Sequence, residues 1–173
     1  MYQACVLIQY VSIILTLVWL VYLLQQWPSR PQSFMLFLGL AVLVNSVGYL
    51  FEITATTVEV ALMSTKLSYM GKVYIPPLAF CFVLYYCKIK VSKSFVAVLT
   101  GVHTAVLVLV MTCEYHDLFY TGIDFARDGL FPHLVHFHGP VYVGYTALVI
   151  CYALAMLGIC AWKYRKSTPE EQK

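Results

Sequence analysis

The chain has 173 residues, of which 61% are hydrophobic and only 11% charged, with a formal net charge of +3; its mean hydropathy is +0.79. So few polar side chains cannot cover a water-soluble globule, which excludes a soluble domain and places the chain in a bilayer. The small positive charge follows from how loops divide about a membrane and gives no support for nucleic-acid binding.

Apolar stretches long enough to cross about 30 Å of hydrocarbon, about 20 residues each, occur at Cys5–Leu24, Phe34–Ile53, Leu67–Cys87, Phe95–Cys113 and Val141–Trp162. None alternates with the strict period of two that a barrel strand requires. In hydrocarbon every backbone amide must find a partner within its own segment, so the expected fold is an all-α membrane protein, a bundle of five transmembrane helices over residues 1–166. The first segment has neither the basic start nor the small-residue cleavage site of a signal peptide and reads as a retained helix.

Basic residues set the orientation. Arg30, then Lys88, Lys90 and Lys93, then Lys163, Arg165 and Lys166 fall on one side, whereas the other holds Arg127 and, at its margin, Lys66. This predicts an N-terminus outside, a C-terminus inside, a multi-pass protein of the plasma membrane, and a polar cytoplasmic tail over residues 167–173. The acids Glu52, Glu59, Glu114, Asp117, Asp124 and Asp128 gather on the outer side.

On the second helix Asn45, Tyr49 and Glu52 recur at spacings of four and three; on the third, Lys66, Tyr69, Lys72 and Pro76 recur at three, three and four. Each set forms one stripe. The two helices are joined by a short outer connection and run antiparallel, which predicts an ion pair between Glu52 and either Lys66 or Lys72, the latter reaching outward along its own stem. Pro76 and Pro77 remove backbone donors to the carbonyls of Lys72 and Val73 and bend the helix beside Gly71. The bend is either a static packing kink or the floor of a binding site whose freed carbonyls take a ligand. Thr100, His103 and Thr104 on the fourth helix and Tyr142, Tyr145, Thr146 and Tyr152 on the fifth converge on the same interior. His103 lies at mid-membrane, either as a neutral imidazole satisfied by a hydroxyl or as a ligand contact.

The outer connection, residues 114–139, is the longest and mixes aromatics with charges, so it is expected to fold over the bundle as a lid. Its His133, His136 and His138 are close enough in sequence to suggest a zinc or copper site, but their spacing matches no strong ligand pattern; caps or interfacial side chains are the competing reading. The six cysteines read as lipid-embedded hydrophobes, with a Cys5–Cys113 disulfide as the alternative. No nucleophile–base pair, phosphate loop or carboxylate pair is present, so neither catalysis nor a cofactor is expected of this chain.

Glu52 near the end of the second helix, the string Lys66-Leu-Ser-Tyr69-Met-Gly71-Lys-Val-Tyr-Ile-Pro76-Pro77-Leu78, then Tyr85-Tyr86, His116-Asp-Leu-Phe119-Tyr120, and Gly139-Pro140-Val-Tyr142 with Tyr145 together resemble the N-terminal seven-transmembrane sensor region of histidine kinases and diguanylate cyclases. The resemblance spans nearly the whole chain. It implies a bundle that receives a signal from outside or from within the membrane and passes it to a cytoplasmic signalling domain, in cis or in trans, with a homodimer as one arrangement. The family pattern continues through two more membrane helices and an output domain, whereas this chain ends at Lys173 after the fifth, as a fragment or as a short form acting through a partner. The site expected for a small ligand comprises Asn45, Tyr49, Glu52, Lys66, Tyr69, Lys72, Pro76, His103, Tyr142 and Tyr145. The competing function is a non-sensory membrane component, such as a transporter subunit or a helix-packing partner.

Overall fold

A computed structural model describes residues 2–25, 30–126, 131 and 133–166. Arg127, Asp128 and the tail 167–173, which entered the charge argument, lie outside the described residues, as does the Arg30 side chain. In chain order the elements are α1 (Tyr2–Gln25), α2 (Arg30–Ile53), α3 (Val58–Lys72), α4 (Ile75–Tyr86), α5 (Lys93–Met111), β1 (Tyr120–Ala126), β2 (His133–His138) and α6 (Pro140–Lys166). Among the described residues five helical segments are long and apolar enough to cross a membrane, α3 and α4 together making the third. Much of their surface is apolar and faces outward: α6 buries only Tyr145, and α1 only Leu20 and Leu23. In a bilayer such surface contacts acyl chains, and exposure carries no penalty there.

The third span is built in two pieces. Thr57 caps α3 by accepting a hydrogen bond from the Val60 amide at 3.3 Å, so the helix begins well before the expected Leu67. It stops at Lys72. Pro76 and Pro77 occupy the first turn of α4, where a missing N–H costs nothing, and they forbid a continuous helix through the preceding turn. The break falls at Val73–Tyr74, where the Tyr74 amide bonds the Gly71 carbonyl at 3.0 Å before the Leu78 amide resumes on the Tyr74 carbonyl at 3.1 Å.

Helix α3 lies hard against α2. A β-carbon on Gly48 would meet the backbone of Ser68, and one on Gly71 would meet the Ala41 carbonyl and come within 2.8 Å of the Asn45 amide. Glycine is needed at both places because only a bare backbone fits. The Ser68 hydroxyl donates to Asn45 Oδ1 at 2.7 Å across this contact. Helix α1 joins α2 through the Gln9 side chain, which donates to the Ser46 carbonyl at 2.8 Å, and through a small cluster of Leu20, Leu23 and Leu36.

The connection after α5 departs from the all-α expectation. It makes one 3-10 turn at Cys113–Tyr115 and then an antiparallel hairpin in which Tyr120 pairs with His138 and Ala126 with His133, with an irregularity between Tyr120 and Gly122. The segments Tyr-Thr-Gly-Ile-Asp-Phe and His-Leu-Val-His-Phe are rich in aromatic and β-branched residues, which favours strands at the membrane edge. The hairpin closes on itself where the Gly139 amide bonds the Phe119 carbonyl at 2.8 Å and the Val141 amide bonds the Leu118 carbonyl at 3.0 Å. Together with α3, α5 and α6 it encloses the main core, which contains Tyr69, Val73, Val110, Phe119, Tyr120, Leu134 and Tyr145. The described cysteines are free, which removes the Cys5–Cys113 disulfide.

Replacing Gly71 by Val is expected to destabilise the bundle by about 1–3 kcal/mol, the usual cost of overpacking a close contact. Gly158, which has nothing within 4 Å, is the control. Its replacement by Ala is expected to be neutral or to stabilise by about 0.5–1 kcal/mol, as for a helix-interior glycine. Unfolding of the micelle-solubilised protein followed by circular dichroism measures both.

Candidate functional site

The polar residues read from the sequence divide into groups. Asn45 is engaged by Ser68 and acts as a clasp between α2 and α3. Lys66 is buried, and its Nζ lies 2.7 Å from Glu114 Oε2 in the turn after α5. This corrects the expected partnership with Glu52: the 3-10 turn carries Glu114 over the end of α3, and a buried ammonium takes the carboxylate that reaches it. Glu52 instead interacts at longer range with the charges of Lys72 and His133. Lys72 has its ammonium 4.7 Å from the centre of the Tyr69 ring, a cation–π contact in place of the expected close ion pair.

Tyr69 stands at the centre of an aromatic cluster that the hairpin completes. Its ring meets Phe119 edge-on at 5.6 Å and Tyr120 at 6.5 Å; Phe119 meets Tyr142 at 5.5 Å. Tyr120 lies 4.4 Å from His136, and His138 stacks on Tyr142 at 3.9 Å. On the α2 side Tyr49 meets Phe131 edge-on at 6.4 Å. Apart from Tyr120–His136, which lies within the hairpin, these contacts join the hairpin region to three helices, α3 through Tyr69, α6 through Tyr142 and α2 through Tyr49. Such pairs contribute roughly 0.5–1.5 kcal/mol each beyond the area they bury.

This interior is polar where hydrocarbon would be expected. Tyr120 OH and Thr65 Oγ1 are buried without a well-formed hydrogen bond among the described residues, although each lies near a polar neighbour, Tyr69 and Glu52 respectively. His136 Nδ1 is likewise unpartnered among them. Burial, reinforced by Tyr69, holds the Tyr120 phenol above its ordinary pKa and therefore neutral. The cluster thus presents a cation, a carboxylate, neutral hydroxyls and aromatic faces, which suits reversible recognition of a small polar group.

Two expected members lie apart. His103 is fully buried in mid-bundle, its Nδ1 2.9 Å from the Leu99 carbonyl of its own helix, while its Nε2 has no hydrogen-bond partner among the described residues. Tyr145 and Tyr152 wall it at 6.0 and 5.6 Å. Pro76 sits half-buried in the first turn of α4, and Pro77 beside it lines a separate apolar groove. The hairpin histidines are used in aromatic packing, and among the described residues no group of three His, Cys, Asp or Glu side chains is arranged to hold a metal ion. Glu114, Thr65 and Tyr120 are the members that sequence spacing missed. Glu114 and Tyr120 come from other elements, and only the hairpin pairing brings Tyr120 to Tyr69, whereas Thr65 lies on α3 one turn before Tyr69, where helical spacing could have found it.

Removing the Glu114 charge by Glu114→Gln is expected to cost about 1–3 kcal/mol, because it strands the buried Lys66 ammonium. A Lys66→Glu/Glu114→Lys exchange should recover part of that loss and a Lys66→Glu/Glu52→Lys exchange none, as read by denaturant midpoints. His136 supplies a pH dependence. Burial, then the neighbouring His138 charge, lowers its pKa below the usual histidine value, with Lys72 acting in the same direction. The folded state therefore resists protonation. Hairpin stability is full above about pH 6.5, the unfolded value, and falls as pH drops below it toward the lowered folded pKa. Hydrogen exchange of β1 and β2 at falling pH should show this loosening, and His136→Phe should flatten it.

The N-terminal 7TM region of histidine kinase, as a family, matches residues 8–173. Comparison with curated proteins and comparison with solved structures each return no match. With nearly the entire length matched, with five apolar helices able to span a bilayer, and with the string around Tyr69 and Pro76 at the heart of the bundle, the chain belongs to the family of N-terminal 7TM regions of histidine kinases.

Proposed function

We propose that this chain is a membrane-embedded sensory module that perceives an extracytoplasmic or membrane-borne signal and relays it to a cytoplasmic signalling enzyme. In this reading the N-terminus and the hairpin lie outside the cell, the C-terminus lies inside, and the membrane is the plasma membrane. The excess of Lys and Arg at the opposite end from the hairpin supports that orientation.

A single observation carries the proposal. The hairpin is packed simultaneously on Tyr49 of α2, Tyr69 of α3 and Tyr142 of α6, above an interior whose buried polar atoms are incompletely bonded. A small polar ligand bridging Glu52, Tyr69, Lys72 and Tyr142 would complete those bonds and draw the three helices together. Asn45, Lys66 and Tyr145 would then hold the frame in register, and His103 would pack behind it. Pro76 marks the hinge just beyond Lys72 through which a shift of α3 reaches α4.

The chain joined at its C-terminal end to the catalytic region of a histidine kinase tests this reading. Autophosphorylation in cells requires that end to be cytoplasmic. Lys72→Leu and Pro76→Ala are each expected to change the phosphorylation level about tenfold, the scale of one charge-assisted contact, with expression and helicity unchanged. Output identical to the parent in both variants would remove the site and the hinge from the account.

A further inference from the structure

At the end of the bundle away from the hairpin, two cavities adjoin. The wider, about 1060 Å³, has Lys88, Lys90 and Lys93 of the α4–α5 connection among its lining residues. The other, about 350 Å³, lies between α2, α4 and α5 and reaches Tyr74 and Pro77. Phe34, Phe37 and Val96 line both, so the lysine mouth opens beside the apolar shaft along one groove.

We infer that this groove holds one anionic phospholipid from the leaflet on the lysine side, with its phosphate at the lysines and an acyl chain in the shaft. The dimensions fit within one leaflet. From Lys93 at the mouth to Thr100, the furthest α5 residue lining the shaft, α5 rises about 10 Å at 1.5 Å per residue. That is less than half of a hydrocarbon core about 30 Å thick. The shaft wall is apolar except for Tyr74, Thr100 and the Cys81 thiol, which suits a hydrocarbon chain and no polar ligand.

Among the described residues the charge at the mouth has no acidic counterpart. The described acids Glu52, Glu59, Glu114, Asp117 and Asp124 all lie at the hairpin end, so the three lysines suit an external anion. Lys88 ends α4 with φ of 59°, the left-handed conformation of a helix C-terminus closed by the Ile89 amide on the Leu84 carbonyl at 2.9 Å. The α5 N-terminus, capped by Ser92 at the same mouth, adds partial positive charge. Because the shaft reaches Tyr74 and Pro77, an acyl chain in it touches the break between α3 and α4. The composition of the surrounding leaflet would then act on the same joint as the hairpin site.

The full chain in phosphatidylcholine nanodiscs with a minor fraction of phosphatidylglycerol provides the test, with lipid retained by the released protein read by native mass spectrometry. One phosphatidylglycerol per chain is expected in preference to phosphatidylcholine. The Lys88→Gln/Lys90→Gln/Lys93→Gln variant should lower its apparent affinity about 10- to 100-fold. Leu40→Trp, which fills the shaft and leaves the mouth intact, should abolish retention at wild-type helicity, and free glycerol phosphate should not compete. Equal retention of the two lipids, or an unchanged affinity in the glutamine variant, would mean ordinary lipid contact and overturn the assignment. Displacement by glycerol phosphate alone would mean a headgroup site without a chain and would also overturn it. So would a dimer that Leu40→Trp dissociates while phosphatidylglycerol stays bound.

Discussion

The close contact of α3 with α2 is the constraint from which the rest of the arrangement follows. With no hydrophobic drive between helices in a bilayer, two helices stay together only if their backbones approach closely and their polar groups are paired. Gly48 and Gly71 permit the approach, and Ser68 with Asn45 supplies the pairing. Once α3 is seated, its remaining faces are fixed. Tyr69 is turned beneath the hairpin, Lys66 toward the turn after α5, and Lys72 toward Glu52. A shift of α3 by even one residue would misplace all three at once.

The hairpin uses that seating to make a different kind of joint. The contact between α2 and α3 depends on small residues and backbone proximity. Contacts between the hairpin and the helices depend on large rings meeting edge-on, with Tyr120 and Phe119 between Tyr69 and Tyr142. Edge-on ring contacts tolerate small displacements better than a glycine contact does, since neither backbone is touching. The bundle therefore has a stiff seam on one side and a more adaptable one where the candidate ligand site lies.

Much of this was legible in the sequence, and the reasons differ by element. The five apolar stretches could be read because the bilayer imposes length and hydropathy directly. The double proline marked the helix break for the same kind of reason, since the missing N–H is a local fact about Pro76 and Pro77. The stripes of Asn45, Tyr49 and Glu52 and of Lys66, Tyr69 and Lys72 follow from helical period. The partners of those stripes could not be read. Glu114 reaches Lys66 only because a 3-10 turn follows α5, and Tyr120 reaches Tyr69 only through strand pairing across residues 120–138. The hairpin did carry a signal in its aromatic and β-branched content, but strands of seven and six residues with charges among them stand out little beside apolar runs of about 20.

The break at Val73–Tyr74 gives α4 a mechanical property that an unbroken span would lack. As a rigid rod of 12 residues, α4 extends about 18 Å from the joint. A rotation of about 10° at the joint carries the Tyr86 end about 3 Å sideways, a displacement set by rod length and angle. In the proposed relay the span would work as a lever with its fulcrum at the joint, converting a small shift at the aromatic cluster into a larger movement of the Tyr86 end.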